Sequence, residues 1–123
     1  MKTAHLLIAV FIVIAFSCNK SSSDVESVVE YQVTATNYSQ LTVAYNNENE
    51  QYVSGSYQSG WKYSFKTSKK PFTTLIRALS VSTTIGSVNT NCTIKILVNG
   101  NVVKTETQTN IGSTDVTAQY VIQ

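Results

Sequence analysis

Apolar and polar residues take turns one by one along most of this chain, and a period of two marks a β-strand with one dry and one wet face. Val29, Tyr31, Val33 and Ala35 alternate with Glu30, Gln32 and Thr34. Leu41, Val43 and Tyr45 alternate with Thr42 and Ala44, after which the polar run Asn46–Glu50 reads as a loop. Trp61, Tyr63 and Phe65 share a face opposite Lys62, Ser64 and Lys66. Cys92, Ile94, Ile96 and Val98 repeat the pattern, as do Val116, Ala118, Tyr120 and Ile122. Between these stretches, a short strand over Gln51–Ser54 runs into Gly55, and Gly55–Gly60 reads as a turn. Thr, Val, Tyr and Ser dominate, and Pro71 is the single proline, a composition that suits strands.

The sharpest local signal is Asn99-Gly100. Both residues tolerate positive φ, so the pair favours a two-residue type I′ hairpin. That turn predicts Leu97 opposite Val102, Ile96 opposite Val103, and a mildly repulsive Lys95 opposite Lys104. Thr73–Val81 is less clear. As a strand it puts Leu75, Leu79 and Val81 on one face with Arg77, covered or at a rim where the Arg77 stem can snorkel. The spacing of Leu75, Ile76 and Leu79 also suits a helix. About seven or eight short strands, with turns every ~8–12 residues, describe an all-β fold. The expected architecture is an immunoglobulin-like antiparallel β-sandwich over residues 28–123.

The N-terminus differs in kind. Lys2 is followed by the apolar run Leu6–Phe16, the layout of an export signal. It is well short of the ~20 apolar residues that a membrane-crossing helix needs. Ala15-Phe16-Ser17-Cys18 resembles a lipobox. The resemblance implies a signal peptide over 1–17 and lipid attachment to Cys18; ordinary secretory cleavage nearby is the alternative. Residues 18–27 then form a tether whose start, Asn19-Lys20-Ser21-Ser22-Ser23-Asp24, is small and polar. Several acyl chains hold a protein on a membrane where one does not.

Cleavage after Ser17 leaves 106 of the 123 residues, one domain's worth, with eight Lys/Arg against seven Asp/Glu. The lysines form no long basic stripe, which argues against nucleic-acid binding. With Cys18 committed to lipid, Cys92 has no partner within the chain. It reads as a small buried hydrophobe, the alternative being a reactive thiol. His5, the single histidine, leaves with the signal peptide. The remaining chain then offers no imidazole for a triad, for general-base work or for zinc. Glu48 with Glu50, and Glu26 with Glu30, read as surface charge rather than acid–base pairs. No catalytic residue, metal ligand or cofactor is expected.

Recognition by surface remains. Tyr52, Tyr57 and Trp61 are the candidate ligand-binding residues around the Gly55–Gly60 segment, since aromatic faces stack on sugars and anchor protein interfaces. Trp61 and Tyr63 alternate with Lys62 and Ser64, which favours the core for both, whereas Tyr57, placed in the turn, is the best exposed candidate.

From Val28 onward the chain resembles the extracytoplasmic domain of the MmpS family, small membrane-anchored accessory proteins of lipid and siderophore exporters. The resemblance rests on Tyr31-Gln32-Val33-Thr34, Leu41-Thr42-Val43-Ala44-Tyr45 and Gly60-Trp61-Lys62-Tyr63. It continues through Cys92-Thr93-Ile94-Lys95-Ile96 and Val98-Asn99-Gly100-Asn101-Val102-Val103. It departs from that family in its lipobox and in lacking a second Cys within Val116–Ile122. The serine-rich tether resembles lipoproteins of the Bacteroidetes group. Together these resemblances imply a lipid-anchored envelope protein, at the outer membrane, that binds an envelope protein or transport assembly. A glycan-binding surface module and a structural adhesin or fimbrial component are the alternatives.

Overall fold

The computed structural model describes residues 25–84, 86 and 88–123. The expected signal peptide, His5, Cys18 and the tether as far as Asp24 lie outside the described residues. Eight strands follow in order: β1 Ser27–Thr36, β2 Gln40–Asn46, β3 Tyr52–Tyr57, β4 Trp61–Thr67, β5 Phe72–Val81, β6 Asn89–Val98, β7 Asn101–Ile111 and β8 Ser113–Ile122. All pairings are antiparallel, in two four-stranded sheets ordered β4-β1-β6-β7 (sheet A) and β3-β2-β5-β8 (sheet B). The expected antiparallel β-sandwich is what the chain forms.

The alternation read from the sequence decides which side chains meet between the sheets. Val29, Tyr31 and Val33 of β1 and Cys92, Ile94 and Ile96 of β6 are fully buried from sheet A. Val43 of β2 and Phe72, Ile76 and Ala78 of β5 face them from sheet B. Burying each large aliphatic side chain contributes about 1.5–3 kcal/mol, enough to organise a core that contains no disulfide among the described residues. Sheet B also buries hydroxyls, each with a partner. Thr74 donates to the Tyr120 carbonyl at 2.8 Å, and Ser80 and Thr114 share a hydrogen bond of 2.5 Å. No buried side-chain polar atom among the described residues lacks a partner.

The chain passes between the sheets five times, at 37–39, 58–60, 68–71, 82–88 and 112, and the first of these connections is tied to the strand ends that flank the fourth. Ser39 N donates to the Val81 carbonyl at 2.7 Å, Asn37 Nδ2 to the Asn89 carbonyl at 3.0 Å, and Thr90 Oγ1 to the Asn37 carbonyl at 3.2 Å. These ties keep β1 beside β6 and β2 beside β5 in opposite sheets.

At three places the structure decides or departs from the expected pattern. Thr73–Val81 lies within strand β5, not a helix; Ile76 and Ala78 point inward, and Leu75, Arg77 and Leu79 outward. The Asn99-Gly100 turn has positive φ at both residues, 51° and 80°, and Leu97 does face Val102. A β-bulge between Ile96 and Leu97 then shifts the register, placing Ile96 opposite Lys104 and Lys95 opposite Thr105. The expected Lys95–Lys104 repulsion therefore does not arise. Instead, Lys104 Nζ pairs with Glu106 at 2.9 Å.

The third place is Gly55. It lies within β3, which runs on to Tyr57, so the turn is confined to Gln58–Gly60. An added Cβ on Gly55 would sit 2.9 Å from Tyr57 Oη. The glycine is there because the Tyr57 ring folds back along the strand over it.

Candidate functional site

Strands β3 and β4 are edge strands of different sheets, and their inward aromatics meet along one flank of the sandwich. The Trp61 ring centroid lies 5.0 Å from Tyr57, 5.1 Å from Tyr45 and 6.3 Å from Tyr63, with Tyr63 parallel to within 5°. Tyr45 reaches Tyr63 at 4.6 Å, and Tyr31, Phe65 and Phe72 carry the contacts into the core. All of these rings pack against the core cluster or belong to it. Tyr57 is thus a half-buried strand residue rather than an exposed turn residue, and Trp61 is half-buried beside it. Only parts of their rings face solvent.

Hydrogen bonds fix the two ends of that flank. Tyr63 Oη donates to Glu48 Oε2 at 2.6 Å, which lowers the Glu48 pKa and pushes Tyr63 up to about 12. Tyr31 Oη donates to the Asn46 carbonyl at 3.0 Å, and burial raises its pKa. At the other end the Ser59 amide donates to Tyr38 Oη at 2.7 Å. Glu50 pairs with Lys69, and Glu26 with Lys66 at 3.3 Å. Glu48 and Glu50 therefore have separate structural partners. Among the described residues no three His, Cys, Asp or Glu side chains gather where a metal could sit. The Cys92 thiol is fully buried, and desolvation raises its pKa, so the reactive thiolate is disfavoured.

Tyr52 stands apart from Tyr57 and Trp61. It begins β3, five residues before Tyr57, which is roughly 17 Å along a strand, and it points to the opposite face. Its side chain is 55 % exposed on the outside of sheet B. There it borders a hollow of about 220 Å³ lined also by Thr42, Ala44, Ser54, Arg77 and Leu79.

Strand register explains how this hollow forms. Ala44 lies opposite Ser54 on one side and Arg77 on the other, while Thr42 lies opposite Leu79. Small residues in the middle of the sheet leave a floor between three longer side chains. Arg77 does not swing freely. Its Nε and Nη2 donate to the two Asp115 carboxylate oxygens at 2.8 and 2.5 Å. That bidentate pair holds the Asp115 carboxyl below its usual range. Asp115 is held in turn by its own amide, which donates to Gln108 Oε1 at 2.7 Å.

Of the three sequence candidates, the structure brings Tyr57 and Trp61 together and places Tyr52 at a different site. Arg77, Leu79 and Ala44 were not candidates, because only the β3-β2-β5 pairing puts them beside Tyr52. The unsettled outer face of Thr73–Val81 was the one available signal. Among the described residues no helix is long and apolar enough to cross a membrane. Fold and surface define a small antiparallel β-sandwich with a hollow on one outer face. Compared with known proteins, the chain matches no family model and no curated protein.

Proposed function

We propose that this chain is a non-catalytic, lipid-anchored module of the cell envelope that binds a protein partner, such as a component of a transport assembly, through the outer face of sheet B. The observation that carries this reading is the hollow framed by Tyr52, Arg77 and Leu79. Tyr and Arg are the residue types that concentrate binding energy at interfaces, above all around a pocket that a partner side chain can fill. The bidentate Arg77–Asp115 pair gives that pocket a polar rim whose geometry is partly set before binding. Attachment at Cys18, as the lipobox resemblance implies, would confine the domain to one membrane surface and raise its effective concentration toward a partner there.

The test is site-directed crosslinking in cells. A photoreactive residue at Ser54, on the floor of the hollow, should give one envelope-protein adduct that disappears in Tyr52→Ala and Leu79→Ala. An adduct indifferent to both substitutions, or none above membrane background, would rule the reading out. The anchor has its own test: Cys18→Ser should abolish incorporation of labelled palmitate, and persistent labelling would refute lipidation at that residue.

A further inference from the structure

The outer face of sheet A carries a second site of different chemistry, independent of the hollow on sheet B. Gln32, Thr34, Thr93 and Lys95 enclose a notch of about 50 Å³ between β1 and β6. That is room for one or two water-sized polar groups. Its walls supply donors: the Lys95 ammonium and the hydroxyls of Thr34 and Thr93. Among the described residues Lys95 has no carboxylate partner, and neither has Lys62. Lys66, Lys69, Arg77 and Lys104 are each paired, and Lys70, likewise without a carboxylate, lies in the connection between β4 and β5 rather than on this face.

Strand pairing sets these groups in ordered rows. Lys62, Gln32, Lys95 and Thr105 form one row across β4, β1, β6 and β7. Thr34, Thr93 and Thr107 form the next, and Thr36, Asn91 and Thr109 the one after. Strands lie about 4.8 Å apart and alternate residues about 6.7 Å apart, so the strip measures roughly 14 by 13 Å. Thr93 and Thr107 share a hydrogen bond of 2.9 Å, and Asn91 Nδ2 donates to Thr109 Oγ1 at 2.7 Å. Glu30, one row toward the Asn99-Gly100 turn, is the nearest acid in register and accepts a hydrogen bond from Gln32 Nε2. No outward-facing side chain of the described strands in sheet A is aromatic, so a nucleobase has nothing to stack on.

We infer that this strip binds an acidic polysaccharide of the uronate type. One carboxylate enters the notch against Lys95, a second meets Lys62 two strand spacings away, and sugar hydroxyls pair with the Thr and Asn rows. A repeating anion suits the strip because it can engage both lysines at once, and hydroxyl-rich rings suit the neighbouring rows. Neutral glycans would leave both ammonium groups unmatched.

The experiment uses the mature lipoprotein in detergent, run through gels cast with polygalacturonate, with neutral dextran, or incubated with duplex DNA. The expected result is retardation by polygalacturonate alone. It should weaken about tenfold in the double variant Lys62→Gln/Lys95→Gln and stay unchanged in Lys70→Gln, an exposed lysine off this face. The double variant should keep the parent's thermal midpoint, which separates lost binding from lost folding. Absence of retardation, equal retardation by dextran or shift of DNA, a double variant that binds like the parent, or an equal loss in Lys70→Gln would each overturn the inference.

Discussion

The two outer faces of the sandwich solve the same problem with different residues. Both sheets bury one face and expose the other, so the outward positions are free of the core. Sheet A fills the middle of that face with Thr, Asn, Gln and Lys, its central strands carrying Thr34, Thr36, Asn91 and Thr93. It keeps its outward apolar residues, Val28, Leu97, Val102 and Ile111, near the ends of its strands. Threonine is β-branched, so it favours the strand while leaving the surface polar. Sheet B instead places Leu75 and Leu79 outward on β5, Tyr52 on β3 and Val121 on β8. Leucine is not among the strand-favouring residues, and Leu79 stays 37 % exposed on this face. The contrast is one of position: the centre of sheet A's outer face is polar, whereas on sheet B the apolar Leu79 and Tyr52 sit beside Arg77 around one hollow.

Inward and outward positions on the single strand β5 should differ most. Ile76→Ala, inward on β5, should cost about 2–5 kcal/mol in urea unfolding, while Leu79→Thr, three residues on but outward, should stay within about 0.5 kcal/mol. Comparable losses would mean that the outer face of sheet B also stabilises the fold. Next in size is Gly55→Ala. The new methyl must displace the Tyr57 ring, an overpacking cost of about 1–3 kcal/mol that should appear as a lowered thermal midpoint. The double change Gly55→Ala/Tyr57→Ala should recover part of that loss; no recovery would place the strain elsewhere.

Smaller effects follow from titration. Tyr63 is raised because its phenol donates to Glu48, so the fold favours the neutral phenol. Its contribution is fully present below the unfolded tyrosine pKa near 10 and is lost as pH rises toward about 12. Tyr63→Phe should therefore flatten part of the stability loss between those pH values, measured by urea midpoints. Asp115 works in the opposite sense. Its carboxyl is held low by Arg77, so its contribution is present above the unfolded Asp pKa and fades as pH falls through the lowered one. The pair is exposed, so Asp115→Asn should shift stability at neutral pH only slightly. Its larger effect should be on the crosslink at Ser54, because it frees the Arg77 guanidinium that frames the hollow. An unchanged crosslink would remove Arg77 from the proposed interface.

Most of the fold was legible because one face of nearly every strand is apolar. Val29, Tyr31 and Val33 could only be read one way, and so could Cys92, Ile94 and Ile96. Legibility failed where that contrast disappeared. After Val103 the strand β7 reads Lys-Thr-Glu-Thr-Gln-Thr, polar on both faces, so nothing in its pattern revealed the bulge that moves Lys104 opposite Ile96. Gly55 reads as part of a turn because a glycine beside Ser and Tyr marks a turn as readily as a close approach of an aromatic ring. The site was harder still. Tyr52 was visible as an aromatic, but Arg77 and Leu79 come near it only because β5 pairs with β2 on the side away from β3, across which Ala44 lies opposite both Ser54 and Arg77. A single sequence without its register does not display such a site.

The aromatic flank also gives the protein a built-in optical probe. Trp61 is the one tryptophan in the chain, and Tyr45, Tyr57 and Tyr63 surround it at ring separations between 5.0 and 6.3 Å. At that range, light absorbed by the tyrosines passes to the indole, so the folded protein emits chiefly from Trp61. Tyr63 shares β4 with Trp61 and Tyr45 lies on β2, so only the share passed by Tyr57 falls when β3 leaves β4. The difference in transfer between the parent and Tyr57→Phe isolates that share, and lets the opening of the flank be followed without any label.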